Sequence, residues 1–326
     1  MIGAHHTPAA SRGRLVIALR WLAGLLVLGL LLYFLPLAPL RAALARVPLT
    51  RFVVILLGYL LAHCVGVAKW RMVVNSAGAE LDVATSAQCY AGGLFGTLFL
   101  PSIIGGDVVR LAVGLQRSPR PAAVLTGNVA DRCIDVGAQV ALVLAGLVLL
   151  PGSLPAQLQI PQRGILLFAG AGFFLLVAIA IVSQRRILGG RSFHFRRRLA
   201  HLRHALRAVS RRPHILIFGW LLGVCIQFSF LVLTALLAVS CGLVLPLRVW
   251  LFAWPLAKLA AVLPLTQGGI GVREAALVAL LAPFGAAGSV VLAAGLVWEG
   301  VIIAGGLIAG AVAFFLRKSA AEVPAN

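Results

Sequence analysis

Long apolar runs constrain this chain more than any other feature. Stretches of about 20 apolar residues, long enough to cross the hydrocarbon core of a bilayer as helices, recur from end to end. Of the 326 residues, 61% are hydrophobic and only 11% are charged, which is too little polar surface for a water-soluble protein of this length. The pattern predicts an all-α polytopic membrane protein, with residues 1–326 forming a single membrane domain.

Six of these runs are predicted to be full transmembrane spans, at roughly residues 16–36, 50–68, 124–149, 164–182, 214–240 and 288–316. An even number of spans puts both termini on one side of the membrane. The segment at residues 183–213 contains ten arginines and no acid, and arginine-rich loops stay in the cytoplasm. We therefore expect cytoplasmic N- and C-termini in a bacterial inner membrane. Because half of the net charge of +20 lies in this loop, the charge indicates topology and not a nucleic-acid partner.

Two further apolar stretches, at about residues 87–116 and 250–285, are interrupted by proline and glycine, where a continuous helix would be costly. The predicted orientation requires each stretch to enter and leave on the same side. Both are therefore expected to be re-entrant hairpins. Irregular backbone at that depth is tolerated only where it is buried in protein or lines a cavity.

The two hairpins share a sequence motif. Aligned without a gap, they pair Leu100, Pro101, Gly105, Gly106, Val109 and Arg110 with Leu263, Pro264, Gly268, Gly269, Val272 and Arg273. Three predicted spans separate the copies, so the second copy is inverted, which defines inverted repeats at approximately 50–150 and 214–316. Transporters built this way bind their substrate where the repeats meet. The alternative is that glycine-rich loops in apolar proteins resemble each other through composition.

The hairpin tips are the first candidate binding site. A charged side chain at the bilayer centre costs at least about 2.5–3.5 kcal/mol, so each one calls for a reason. Free N–H groups at a helix start, next to an arginine, favour phosphate. Alternatively, the charges form local ion pairs that lock each hairpin. The candidate substrate-binding residues are Gly105, Gly106, Asp107 and Arg110 at the first tip and Gly268, Gly269, Arg273 and Glu274 at the second, with Gln267 in support.

A polar stripe follows the first hairpin. Asn128, then Asp131 or Arg132, then Asp135 and Gln139 recur at helical spacing, so they should share one face that points into the bundle. Arg132 and Asp135 are candidate head-group ligands or partners of each other, and Asn128 and Asp131 would support them.

Three other polar residues lie in apolar helices. Lys258 and Glu299 are supporting residues, with Lys258 the candidate partner of Glu299, and His63 is expected to hydrogen-bond between helices. The five cysteines are scattered through apolar stretches and predict no metal site. A phosphate-binding loop of the Gly-x-x-x-x-Gly-Lys-Ser/Thr type does not occur in the sequence. No cofactor is expected.

Four motifs, in this order, resemble the transmembrane flippase domain of lysylphosphatidylglycerol synthases and its stand-alone relatives. They are Ala68-Lys69-Trp70-Arg71, Pro101 with Gly105-Gly106-Asp107-x-x-Arg110, Asp131-Arg132-x-x-Asp135, and Pro264-x-x-x-Gly268-Gly269-x-Gly271-Val272-x-Glu274-Ala275-Ala276. Lys69 and Asp131 depart from the arginine and glutamate that are usual in the family. The resemblance implies translocation of an aminoacylated phospholipid, an isoprenoid-linked sugar or a hopanoid-type lipid. A soluble aminoacyl-transferase domain follows the bundle in full-length synthases, and since this chain ends at Asn326 we expect no synthase activity.

The leading hypothesis is a lipid flippase or scramblase, not an enzyme. Its partners would be membrane lipids with an anionic or phosphate-bearing head group. Two alternatives remain open. One is a membrane-embedded glycosyl- or phosphotransferase, and the other is a non-transporting accessory subunit of a lipid-modifying enzyme.

Overall fold

A computed structural model of the chain describes residues 32–100, 105–150, 211–261, 266 and 269–321, together with a few positions between 22 and 30. Every regular element in these ranges is helical. The α-helices are α1 (Leu37–Ala45), α2 (Leu49–Ser76), α3 (Val83–Thr97), α4 (Gly105–Arg117), α5 (Pro121–Leu149), α6 (Pro213–Ser240), α7 (Leu247–Ala260), α8 (Val272–Leu281) and α9 (Gly288–Ala321), with a 3₁₀ turn at Ala282–Phe284.

Four of the described helices, α2, α5, α6 and α9, are long and apolar enough to cross a membrane. They coincide with four of the six predicted spans. The predicted span at 164–182 and most of the arginine-rich loop lie outside the described residues, and the span at 16–36 is described only in part, including a short helix at Leu28–Phe34. α2 continues to Ser76, beyond the predicted end at residue 68.

The two Pro/Gly-broken stretches each form a pair of short helices that contact each other, α3 with α4 and α7 with α8. These helices contain 15, 13, 14 and 10 residues, fewer than the 20 or so that a span requires. Before α8 the chain turns at Gly269 and Gly271, where φ is 80° and 82°, values that favour glycine. The predicted break in each helix is therefore present.

The contacts between helices interlock the two halves of the chain. We call α2–α5 the first half and α6–α9 the second half. α2 packs along α6, and both contain 28 residues. The first short helix of each half packs on the last long helix of the other, α3 on α9 and α7 on α5. One apolar core accordingly takes residues from both halves, among them Ile55, Leu142, Phe230 and Leu292.

Glycines allow the closest of these approaches. A Cβ at Gly146 of α5 would lie 2.6 Å from the backbone nitrogen of Phe252 in α7, and one at Gly306 of α9 would lie 2.9 Å from the side chain of Leu98, which directly follows α3. Small residues at helix contacts are typical of membrane bundles, where close backbone packing holds helices together. The two interlocking contacts thus use the same device.

Candidate functional site

Six buried or half-buried charges in the first half form one ion-pair network. The members, which we call the first-half network, are Lys69, Asp107, Arg110, Asp131, Arg132 and Asp135, contributed by α2, α4 and α5. Lys69 Nζ lies 2.8 Å from Asp131 Oδ1 and also pairs with Asp135. Arg132 Nε lies 2.9 Å from Asp107 Oδ2. Three bases face three acids, so the network is internally neutral and ties three helices together.

Arg110 is held differently from the other bases of the network. Its guanidinium lies over the ring of Tyr90, 4.1 Å from the centroid, and 5.7 Å from that of Trp70. Its Nη1 is 3.7 Å from Asp107 and 3.8 Å from Asp131, beyond hydrogen-bond length. Nε and Nη1 are buried without a hydrogen-bond partner among the described residues. The predicted local pair of Asp107 and Arg110 is therefore present, but loose.

The polar stripe on α5 faces inward, as its helical spacing predicts. Asn128, Asp131 and Gln139 are buried, and the Asn128 Oδ1 accepts a 3.0 Å hydrogen bond from the indole of Trp70. Arg132 and Asp135 do approach each other, at 3.6 Å, but their closer partners are Asp107 and Lys69. The stripe therefore packs against other helices.

The second half carries a smaller group, the second-half cluster of Arg273, Glu274 and Glu299. Arg273 Nη2 lies 2.6 Å from Glu274 Oε1 and 2.7 Å from Glu299 Oε2. Glu274 also accepts a 2.8 Å hydrogen bond from the backbone N–H of Gly271, which fixes the start of α8. One guanidinium thus serves two carboxylates on α8 and α9.

The predicted partner of Glu299 was wrong. Glu299 pairs with Arg273, whereas Lys258 on α7 donates a 2.7 Å hydrogen bond to Gln227 Oε1 on α6. The Lys258 ammonium also lies 5.2 Å from the ring centroid of Phe230 and 4.9 Å from that of Trp254. The prediction failed because the turn at Gly271 brings Arg273 close enough to α9 to contact Glu299.

A cavity of about 370 Å³ lies where the two halves meet. Side chains from α2, α3, α6, α7 and α9 line it, together with Arg273 at the start of α8. Its polar and aromatic lining comprises Tyr59, His63, Thr97, Phe99, Phe230, Trp254, Lys258, Arg273, Trp298 and Glu299, and its aliphatic lining includes Leu94, Leu98, Ile302, Ile303 and Leu307.

The lining of the cavity changes character along α9. Glu299 and Leu307 both face the cavity, and at 1.5 Å per residue they lie about 12 Å apart along the helix axis. Leu98, which directly follows α3, contacts α9 at Gly306, so the side chains at the C-terminal end of α3 lie at the Leu307 end of the cavity. The cavity is therefore amphipathic, with charges at one end and aliphatic side chains at the other.

Among the predicted site residues, Arg273, Lys258 and Glu299 line this cavity. None of the first-half network is among the described lining residues. Gly106 packs on the backbone of Gly93 instead. Gly105 is the first residue of α4 and Gly269 forms the turn before α8, whereas Gln267 and Gly268 lie outside the described residues.

Sequence reasoning missed Lys69 and the aromatic residues that surround the charges. Lys69 lies in phase with the buried positions Tyr59, Ala62, Gly66 and Val73 of α2, so helical periodicity carried the signal. His63 was predicted correctly, since its Nδ1 lies 3.2 Å from the Tyr90 hydroxyl on α3. Tyr90 itself, which contacts both His63 and Arg110, has no distinguishing sequence context.

The family model described as "Lysylphosphatidylglycerol synthase TM region" matches residues 17–310. The chain belongs to this family. The match confirms the resemblance carried by the four motifs. It includes the first half, with all six members of the first-half network, and the second half as far as residue 310. Taken with four helices able to cross a membrane, it makes the chain an integral membrane protein connected with lipid metabolism or transport. No curated protein and no solved structure matches the chain.

Proposed function

We propose that this protein is a lipid translocase that moves a phosphate-bearing lipid between leaflets. The observation that carries the proposal is the amphipathic cavity between the two halves. A lipid offers a charged head group and apolar chains, and the cavity offers Lys258, Arg273 and Glu299 at one end and leucine and isoleucine side chains at the other. The candidate substrates are aminoacylated phospholipids, isoprenoid-linked sugars and hopanoid-type lipids.

The proposed architecture is an inverted repeat of approximately residues 50–150 and 214–316. The pairing of α3 with α9 and of α7 with α5 supports it, because exchanging the two halves converts one contact into the other. In this arrangement α3–α4 and α7–α8 are re-entrant hairpins, six helices cross the bacterial inner membrane, and both termini are cytoplasmic. The cavity then lies near the midplane, where broken helices of the two repeats meet.

In this proposal the protein carries lipid without converting it chemically and uses no cofactor. The cavity lining supplies groups that bind the head group. The ion pairs of the first-half network and the second-half cluster hold together the helices that shape the cavity. Arg273 is central, because its guanidinium lines the cavity while it joins α8 to α9 through Glu274 and Glu299. A partner enzyme that makes the lipid would supply the substrate.

The test is leaflet exchange of labelled phospholipids in liposomes that contain the purified protein. We expect the wild-type protein to accelerate exchange of a phosphate-bearing lipid and Arg273→Ala to reduce it about tenfold or more, as for loss of a charge-assisted contact. The exposed Arg248, on α7 and outside the cavity lining, provides the control variant Arg248→Gln. No exchange of any phosphate-bearing lipid would refute the function. Full activity of Arg273→Ala would refute the site.

A further inference from the structure

The charge balance of the cavity points to one side chain. Three charged side chains line it among the described residues, Lys258, Arg273 and Glu299. Arg273 and Glu299 pair with each other, and Arg273 also holds Glu274. Lys258 has an amide oxygen and two aromatic faces as its neighbours, and no carboxylate among the described residues forms an ion pair with it. Among the described lining residues, Lys258 is therefore the cation whose charge is available to a ligand.

The position of Lys258 leaves donors available. An ammonium group has three N–H donors, and one of them is used by Gln227 Oε1 at 2.7 Å. The faces of Phe230 and Trp254 hold the charge in place through cation–π contact without neutralising it. The side chain is half-buried, so it keeps contact with the cavity. Two hydrogen bonds to a ligand oxyanion are thus still possible.

A second observation, at Trp254, points to a ligand at the same place. Trp254 lies one helical turn before Lys258, lines the cavity and is only 3% exposed. Its indole Nε1 is buried and has no hydrogen-bond partner in the part of the chain that the structure describes. A buried N–H without a partner is costly. A ligand oxygen beside Lys258 would satisfy it.

We propose that Lys258 and Trp254 form the subsite that binds the phosphodiester of the lipid, with its chains directed toward Leu307. This inference rests on the proposed function for the identity of the cargo. In this arrangement α7 supplies both donors, and Arg273, paired with Glu274 and Glu299, joins α8 to α9 beside them. The aliphatic end of the cavity, about 12 Å away along α9, favours a lipid phosphate over a free one.

The first experiment measures lipid binding to the full chain by native mass spectrometry in detergent. The probes are dioleoyl phosphatidylglycerol, dioleoylglycerol, which lacks the phosphate, and water-soluble glycerol phosphate. We expect the wild-type protein to prefer phosphatidylglycerol, and Lys258→Gln to weaken that binding about tenfold or more, as for loss of a charge-assisted hydrogen bond. Lys258→Arg should bind phosphatidylglycerol within about threefold of wild type. Arg248→Gln removes the same charge as Lys258→Gln but from the exposed side of α7, and it should bind as the wild-type protein does.

A smaller effect is expected at Trp254. Trp254→Phe keeps an aromatic ring against Lys258 but removes the N–H, and we expect it to weaken phosphatidylglycerol binding about threefold while binding of dioleoylglycerol is unchanged. Three outcomes would overturn the inference. They are unchanged phosphatidylglycerol binding by Lys258→Gln, equal weakening of both lipids, and competition by glycerol phosphate as strong as that by the lipid.

A second measurement needs no variant and so does not depend on whether Lys258→Gln folds. The chain contains three lysines, Lys69, Lys258 and Lys318, and Lys69 is only 2% exposed. Labelling with an amine-reactive reagent, followed by peptide mass spectrometry, therefore reports on Lys258 separately. We expect phosphatidylglycerol, but not dioleoylglycerol, to protect Lys258. Equal labelling with and without saturating phosphatidylglycerol would overturn the inference.

Leaflet exchange by the same proteins separates the two proposals. If the wild-type protein exchanges lipid, and Lys258→Gln exchanges and binds it equally well, the subsite is refuted and the translocase stands. Binding that depends on Lys258, without any exchange by the wild-type protein, would refute the translocase and leave the subsite standing.

Discussion

The two halves carry related motifs, yet their arginines have different surroundings. Arg110 is stacked on Tyr90 inside a network of three bases and three acids that does not reach the described cavity lining. Arg273 is held by two carboxylates and faces the cavity. The first-half network thus ties helices together, whereas the second half presents its charges to the cavity. A repeated motif can keep its backbone role while its side chains take on separate tasks.

Lys69 gives the largest predicted effect on this comparison. Lys69→Met would leave Asp131 and Asp135 buried without their closest base, and we expect it to lower the free energy of unfolding by about 3–5 kcal/mol. Thermal unfolding in detergent provides the measurement. Arg120→Gln makes the same charge change in an exposed pair with Glu80 and should change stability by less than about 1 kcal/mol. Equal losses in the two variants would mean that the network does not tie the helices together.

Gly66 tests the aromatic support of Arg110. A Cβ at Gly66 would meet the Tyr90 hydroxyl, and Tyr90 carries the Arg110 guanidinium on its face. We expect Gly66→Ala to destabilise the protein by about 1–3 kcal/mol through overpacking, as measured by thermal unfolding. The control is Gly300→Ala, whose Cβ would lie 3.6 Å from Phe52, an ordinary contact. A harmless Gly66→Ala would show that Tyr90 moves freely.

Glu299 tests whether the second half presents its charges to a ligand. Glu299→Gln removes one of the two carboxylates that hold Arg273, so more of the guanidinium charge faces the cavity. We expect phosphatidylglycerol to bind about three- to tenfold more tightly, and to exchange more slowly because release is slower. Glu80→Gln, in an exposed pair, should leave both unchanged. Weaker binding in Glu299→Gln would place the head group elsewhere.

The smallest effect compares the starts of the two hairpins. Asp82 caps α3 by accepting hydrogen bonds from the N–H groups of Ala84 and Thr85, whereas Pro246 starts α7 without a side-chain cap. Asp82 lies in the connection between α2 and α3, and its hydrogen bonds with Thr85 lower its pKa. We expect Asp82→Ala to cost about 0.5–1 kcal/mol in thermal unfolding near neutral pH.

The pH dependence of that difference has a defined sign. A carboxyl with a lowered pKa stabilises the fold above its ordinary pKa and loses this contribution as the pH falls through the lowered value. The difference in unfolding free energy between wild type and Asp82→Ala should therefore become smaller below about pH 4. Asp82→Asn, which can still accept the hydrogen bonds, should retain most of the stability at neutral pH. A gap that widens in acid would contradict this assignment.

Helix positions and buried faces were the part that the sequence could predict. The four described long helices follow from apolar runs, and the inward stripe of Asn128, Asp131 and Gln139 follows from helical spacing. The breaks near Gly106 and Gly269 follow from backbone chemistry. These features depend on neighbours within a few residues, which a sequence shows directly.

Partners across the bundle could not be predicted, because they depend on how helices meet. Lys69 lies just beyond residue 68, the predicted end of its span, yet α2 extends to Ser76 and Lys69 is buried against α5. Glu299 was paired with Lys258, but the turn before α8 brings Arg273 to it instead. The stacking of Arg110 on Tyr90 joins α4 to α3 through the packing of a hairpin whose angle no local pattern encodes.

The pairing of α3 with α9 also has a consequence for biogenesis. α3 leaves the ribosome long before α9, because about 190 residues separate Thr97 from Gly288. At about 5–20 residues per second, Phe95 at the end of α3 and Leu98 directly after it wait roughly ten to forty seconds for Gly310 and Gly306, which they will contact. During that interval the insertion machinery or surrounding lipid must cover Phe95 and Leu98. Completion of the last helix is thus the event that closes the first hairpin into the bundle.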